Sequence, residues 1–318
     1  MWLTQVPSIE ILRRIWVQQY YRTGTEIRWR TEPEGIPSSA LMIGSPYDTQ
    51  AHYAKKRTTS WVGYKVPLTE SCDDDTPHLI THIETTVAPS GDGDAVRPIH
   101  EALKSKDLLP DCHLVDTGYV DAERLVESKR GYGVDLYGPA CSDYKRQARE
   151  AKGLAAGQFQ VDWEQQQVTC PQGCTSNSWT PAQDRSGNPV IKSKFSRSDC
   201  RVCPSRRDCT HTTRPRRTIT IHPQPEQEAL LAARQRPSEP EFAEQYGKRA
   251  GIEGTLSPGV RAFGLRRARY KGQAKTHLQH ILIAASMNLV RISQWLAGEP
   301  QAQTRQSRFV ALMQPRAA

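Results

Sequence analysis

Apolar positions recur with helical period near the two ends of the chain and in short β-rich runs between them. In MWLTQVPSIEILRRIWVQQYY, Ile9, Leu12, Ile15 and Trp16 share one helical face, and Ser8 is the candidate N-cap. EIRWRT at 26–31 reads as a short strand, and SPYDTQAHYAKKRTTS as a polar loop. WVGYKVPLTES and HLITHIETTVA flank CDDDTP, turn chemistry that predicts a hairpin. DAVRPIHEALKSKDLL has helical period through Val96, Ile99, Leu103 and Leu108. CHLVDTGYV then predicts a strand ending in the carboxylate of Asp116. DAERLVESKRGYG predicts a helix capped by Asp121 and closed near Gly131 or Gly133, and VDLYGPA another strand. Such alternation implies an α/β domain with part of its sheet parallel.

The pattern breaks at residues 142–236, which are polar, cysteine-rich and strand-poor, with QFQVDW, QVTC and RRTITIHP as β candidates. Helical period returns at Ser238–Glu241, where S-x-x-E has the form of a capping box. A last helix over 277–296 carries Leu278, Ile281, Leu282, Ala285, Leu289, Ile292 and Leu296, a stripe expected to face the core.

Composition adds a polar, basic character: 37% hydrophobic residues, mean hydropathy −0.65 and net charge +9. The charge is segregated. Residues 66–125 hold thirteen acids and four bases, whereas 254–298 hold seven bases and no acid. That asymmetry suggests a basic face for a polyanion and an acidic cluster elsewhere, with a solvated charged surface as the plain alternative. No apolar run reaches the roughly 20 residues that span a bilayer, and the N-terminus lacks the layout of a signal peptide. A cytoplasmic protein is expected, so the eight cysteines call for a role other than disulfides.

Two carboxylates stand out. Asp116 ends its strand, where ligands of open α/β sheets bind, or else it caps the turn. Tyr246, Arg249 and Glu253 are spaced i, i+3, i+7, one stripe of a helix in which Gly251 favours an end or bend. Arg249–Glu253 also suits an exposed ion pair.

The order LVDTGY, then Y-x-x-R-x-x-x-E, resembles the DDE transposases of bacterial insertion sequences. The phrases SPYDTQAHYAKKRTTSWVGYK, LTESCDDDTPHLITHIETT, GIEGTLSPGVRAFGLRRARYKG and AKTHLQH extend the resemblance over essentially the whole chain. The resemblance implies an RNase H-like mixed sheet flanked by helices, interrupted by a cysteine-rich, zinc-ribbon-like insertion. The implied division is an N-terminal helix and linker at 1–47, the catalytic domain at 48–141 and 237–298, the insertion at 142–236 and a basic tail at 299–318. Asp116 matches the second catalytic acid, Glu253 the third, and Tyr246 and Arg249 their signature partners. The signature's later basic position falls on Val260, so Arg261 is the substitute.

Transposition so implied is phosphoryl transfer on double-stranded DNA at transposon ends: strand cleavage, then transfer of a 3′-hydroxyl. Three carboxylates hold Mg²⁺ (or Mn²⁺) in such chemistry. The first belongs to a D-S-T-like segment that does not occur in this sequence, and Asp48 in SPYDTQ is the nearest imitation. An N-terminally truncated member is therefore expected, inactive alone, complemented by a separate N-terminal half or acting as a homodimer at the nucleoid. The alternative is a non-catalytic DNA-binding remnant that regulates an intact transposase; a metal-dependent nuclease without strand transfer is a third reading. Arg261, Arg266, Arg267, Arg269, Lys271 and Lys275 are the expected phosphate contacts.

Cys170-x3-Cys174 and Cys200-x2-Cys203-x5-Cys209 place five thiols in turn-rich sequence. Four thiolates around a structural Zn²⁺ is the natural reading, with Cys170, Cys200, Cys203 and Cys209 as first choice and Cys174 as competitor; unligated structural thiols are the alternative.

Overall fold

The structure, a computed structural model, describes residues 2–31, 35–143, 145–150, 152–213 and 216–299. Nearly all of the expected basic tail lies outside the described residues. The chain forms two compact units, Met1–Leu109 with Gly247–Ala318, and Pro110–Tyr246. The architecture is mixed α/β, with helices and several small sheets.

The first unit opens on a 3₁₀ turn and α1 (Pro7–Gln19). Proline suits the first helical position because its missing N–H would find no partner there, so Ser8 lies inside the helix and not at its cap. β1 (Tyr20–Thr23) and β2 (Glu26–Trp29) form a hairpin, and Trp16, Tyr20 and Trp29 stack at centroid distances of 4.7 and 4.5 Å. β3 (His52–Lys56) pairs antiparallel with β4 (Thr59–Lys65). The sequence pattern put His52–Lys56 in a loop; its alternation is weak, and pairing with β4 makes it a strand. β5 (Leu68–Glu70) and β6 (Ile80–Ile83) form the hairpin expected around the acidic turn, and β7 (Thr86–Val87) joins β4. α2 (Val96–Ser105) buries Val96, Ile99 and Leu103, while Leu108 falls beyond its end and is exposed.

The second unit begins with β8 (Cys112–Leu114), crosses over through α3 (Ala122–Tyr132) and returns in β9 (Asp135–Tyr137), parallel to β8 as expected. Asp121 caps α3 by accepting from the Arg124 amide at 2.8 Å, and Gly133, with φ of 75°, closes it in the left-handed region. The chain continues through α4 (Arg146–Arg149), β10 (Gln160–Asp162), β11 (Gln167–Thr169), β12 (Ser176–Gln183), β13 (Pro189–Phe195), α5 (Arg197–Val202), α6 (Arg206–Cys209), β14 (Thr218–Ile221), α7 (Gln224–Gln235) and α8 (Pro240–Gly247). β12, β13 and β14 make one antiparallel sheet over a core of Phe159, Val168, Phe195, Ile219 and Ile221. The candidates QFQVDW, QVTC and RRTITIHP hold β10, β11 and β14 as expected, and β12 and β13 correct the reading of the region as strand-poor. β12 reads SNSWTPAQ and shows too little alternation to announce itself. The expected capping box is also absent: the Ser238 hydroxyl donates to the Gln235 carbonyl at 2.5 Å, and α8 begins at Pro240.

A 3₁₀ turn, Lys248–Ala250, leads back into the first unit with α9 (Gly251–Arg261) and α10 (Gln273–Leu296). α10 packs on β6 and α9 around Ile80, Ile83, Leu265, Ile283, Ala284 and Met287. Gly259 permits that approach, since a Cβ there would stand 3.2 Å from the Met287 sulfur.

The stripe assigned to the core is the other face. α10 buries Thr276, Gln279, His280, Ile283, Ala284 and Met287, while Leu278, Leu282 and Leu289 are more than half exposed. The reason is hydrogen bonding. Asn288 donates to the Ile80 carbonyl at 2.9 Å and accepts from its amide at 2.8 Å, satisfying an edge of β6 as another strand would. The buried face must carry polar groups, so apolarity alone selects the wrong one. Among the described residues no helix is long and apolar enough to cross a membrane.

Candidate functional site

Asp116 stands one residue past the buried Val115, whose amide extends the parallel ladder by donating to the Tyr137 carbonyl at 2.9 Å. Its backbone is extended, its side chain is exposed, and its carboxylate accepts from the Thr117 amide at 3.0 Å. Across the strand end, Gly138 leaves no room for a side chain: a Cβ there would lie 2.2 Å from the Val115 carbonyl oxygen. Only glycine lets β9 come so close to the residue before Asp116.

α8 is fastened to the same pair of strands. Tyr137, Phe242 and Tyr246 stack in a column with successive centroids 5.2 Å apart. Arg236 lies over the Tyr137 ring at 5.1 Å and donates to Asp135 at 2.8 and 3.0 Å. Gln245 donates to the Cys112 sulfur at 3.4 Å. Tyr246 therefore ends an aromatic stack rooted in β9.

In the first unit Arg249 lies in the 3₁₀ turn and Glu253 in the first turn of α9, exposed. Gly251 opens α9, consistent with the break expected there. Beneath this turn is a polar cluster that the sequence did not announce. Glu70, 7% exposed at its side chain, accepts from the Thr255 hydroxyl at 2.5 Å and from Arg291 at 3.0 Å. Arg291 also donates to the His78 carbonyl at 2.5 Å and contacts the Thr255 hydroxyl. One signal was available: a lone Arg in the apolar half of α10 must find a carboxylate if it is buried at all.

Asp116 belongs to the second unit and Glu253 to the first, so neither unit by itself contains both carboxylates. Asp48, the nearest imitation of the first acid, is engaged structurally. It accepts from the Tyr64 hydroxyl at 3.0 and 2.9 Å and from the Gly272 amide at 2.8 Å, anchoring the start of α10. Among the described residues, no group of three or more His, Cys, Asp or Glu side chains is arranged to hold a metal ion.

Arg261, Arg266, Arg267, Arg269, Lys271 and Lys275 are all exposed. The loop between α9 and α10 that carries most of them is held from below. Leu265 is buried; the Gln279 side chain accepts from the Arg269 amide at 2.9 Å and donates to the Arg267 carbonyl at 2.8 Å. Gln273 donates to the Thr85 carbonyl at 2.7 Å. Lys271 sits over the Tyr47 ring at 4.9 Å. Six cations are thus displayed outward on a fixed backbone. Nearby, Thr85 bridges His277 and His280 at 3.1 and 2.8 Å, and burial beside His277 holds the His280 imidazole down at about 4.

Cys170, Cys174, Cys200, Cys203 and Cys209 line one small cavity of the second unit, all as free thiols. The 170–174 turn is tight: Gly173 takes φ of 81°, and the Cys170 amide donates to the Cys174 carbonyl at 2.8 Å. Burial pushes the Cys209 thiol up, Arg217 opposes it, and Cys200, Cys203 and Cys170 add to it. Burial and then Cys170 and Asp199 do the same to Cys174. Cys174 and Cys209 therefore resist ionising unless a cation stands among the thiols.

Residues 169–293 match the family model of the transposase DDE domain, a stretch that takes in the five clustered cysteines, Tyr246, Arg249 and Glu253 and supports a DDE-type transposase. Comparison with curated proteins and with solved structures gave no match. DDE transposases generally use a divalent metal and act on DNA.

Proposed function

We propose that this chain is the DNA-engaging part of an insertion-sequence transposase with an RNase H-like catalytic domain, working in the bacterial cytoplasm at the nucleoid. The observation that carries the reading is the joining of the transposase match to six outward cations between the end of the helix of Glu253 and the first turn of α10. Asp116 and Glu253 would hold Mg²⁺ or Mn²⁺, since exposed carboxylate oxygens are the hard donors these ions take. Bound there, a divalent ion activates water or a 3′-hydroxyl and neutralises charge on the phosphate. Tyr246 and Arg249 take the parts of the signature's partners of that acid, and Arg261, Arg266, Arg267, Arg269, Lys271 and Lys275 neutralise backbone phosphates.

Two carboxylates do not make the three-acid site, and Asp48 is committed elsewhere by Tyr64 and Gly272. That engagement favours complementation by a separate N-terminal half, with the alternative of a DNA-binding remnant that occupies transposon ends and regulates an intact enzyme. The deciding assay is Mn²⁺-supported cleavage of a transposon-end duplex with and without a supplied front half. Cleavage only in the complemented reaction, abolished by D116N or E253Q, is the expected result. Binding without cleavage in either reaction selects the regulatory remnant, and cleavage indifferent to both substitutions rejects the site.

In the cysteine-rich insertion, four of the five converging thiols are read as ligands of one structural Zn²⁺, a soft donor set that suits it. Elemental analysis of purified protein should give one zinc per chain, and chelation should lower the melting temperature. A metal-free protein that melts identically in chelator rejects this part alone.

A further inference from the structure

The uncovered stripe of α10 has the period of a helix-pairing seam. Leu278, Leu282, Ala285, Leu289, Ile292 and Leu296 follow at intervals of 4, 3, 4, 3 and 4, the alternation that keeps one helix face against another helix. Leu278, Leu282, Leu289 and Leu296 are 56, 60, 69 and 72% exposed, and Ile281, Val290 and Trp295 beside them are exposed as well. So continuous an apolar surface marks an interaction site more often than chance exposure.

We propose that α10 pairs antiparallel with α10 of a second copy of this chain, about a twofold axis through the middle of the stripe. The intervals read the same in both directions, so the stripe superimposes on itself under that rotation. Leu278 then meets the partner's Leu296, Leu282 the partner's Ile292, and the small Ala285 the partner's Leu289. Charge selects both the occupant and the direction. The flanking positions Gln279, Ser286, Asn288 and Ser293 are neutral, and Arg291 is occupied by Glu70, so self-association meets no like charges along the seam despite a net charge of +9. A parallel pair would bring Lys271 and Lys275 against their own copies. The antiparallel pair instead sets Lys275 near the partner's Glu299 and the negative end of its helix.

The pairing has a consequence for DNA, which rests on the function proposed above. It separates the two Lys275 positions by about 36 Å along the helices, counting 24 residues at 1.5 Å each. That is roughly one turn of B-form DNA, so the basic loops of a dimer could face successive turns of one duplex.

Sedimentation of the full chain over a concentration series tests the pairing. Wild-type protein is expected to dimerise, and L282E/L289E to be monomeric with an unchanged circular dichroism spectrum, because both side chains are exposed. L278C/L296C should cross-link into covalent dimers on mild oxidation, whereas L278C alone should match the wild-type background; cross-linking by L278C alone would show a parallel pair. A monomeric wild type, or a dimer that survives L282E/L289E, overturns the proposal. Binding of end DNA by the monomeric double variant would leave the DNA reading standing while the loop-spacing consequence fell.

Discussion

Glu70 and Arg291 come from opposite ends of the chain and meet under the first turn of α9. A buried carboxylate stripped of its cation costs far more than the pair contributes, because the remaining charge has no solvent to turn to. Arg291→Met is therefore expected to lower unfolding free energy by about 3 kcal/mol, read by urea denaturation, and adding Glu70→Gln should recover part of the loss. His280 acts through protons. Its imidazole ionises near pH 4 in the folded chain, below its ordinary 6.5, chiefly because it is buried. Between those values the unfolded chain binds the extra proton, so stability is fully present above pH 6.5 and is lost as pH falls toward 4. His82 and His100 are lowered by burial in the same direction. Denaturation midpoints at pH 7 and pH 5 should differ, and His280→Gln should reduce that difference.

At the scale of elements, the strand end that carries Asp116 depends on a missing side chain. Gly138→Ala would drive a Cβ into the Val115 carbonyl. The expected result is a loss of about 2 kcal/mol, in the range of overpacked sites, together with reduced cleavage in the complemented assay. Unfolding at wild-type midpoints would show that β9 can shift at no cost. Most elements of the β8–α3–β9 crossover were legible in sequence, because Asp121, Gly133 and the apolar runs each act locally. β3 and β12 were not. Their residues are half-exposed and weakly alternating, and what makes them strands is the neighbour that pairs with them.

For the whole molecule, DNA affinity should be set by the loop between α9 and α10. Each phosphate contact contributes about 0.9 to the slope of log affinity against log salt. R266S/R267S should lower that slope by roughly 2, and because both side chains are exposed the melting temperature should not move. Fluorescence anisotropy of an end duplex between low and moderate salt measures it; an unchanged slope would place the phosphate contacts elsewhere.

The sequence by itself determined the mixed α/β character, the segregation of charge, the strand-end Asp116, the cluster of thiols and the run of cations after Glu253. These follow from local chemistry: periodicity, capping, turn residues and spacing act between near neighbours. Only the tertiary structure decided which face of α10 is buried, that Asp48 anchors Gly272 and Tyr64, and that Glu70 answers Arg291. Each of those depends on groups brought together from distant positions, where the need to satisfy buried hydrogen bonds and charge outweighs the preference of any one side chain for oil or water.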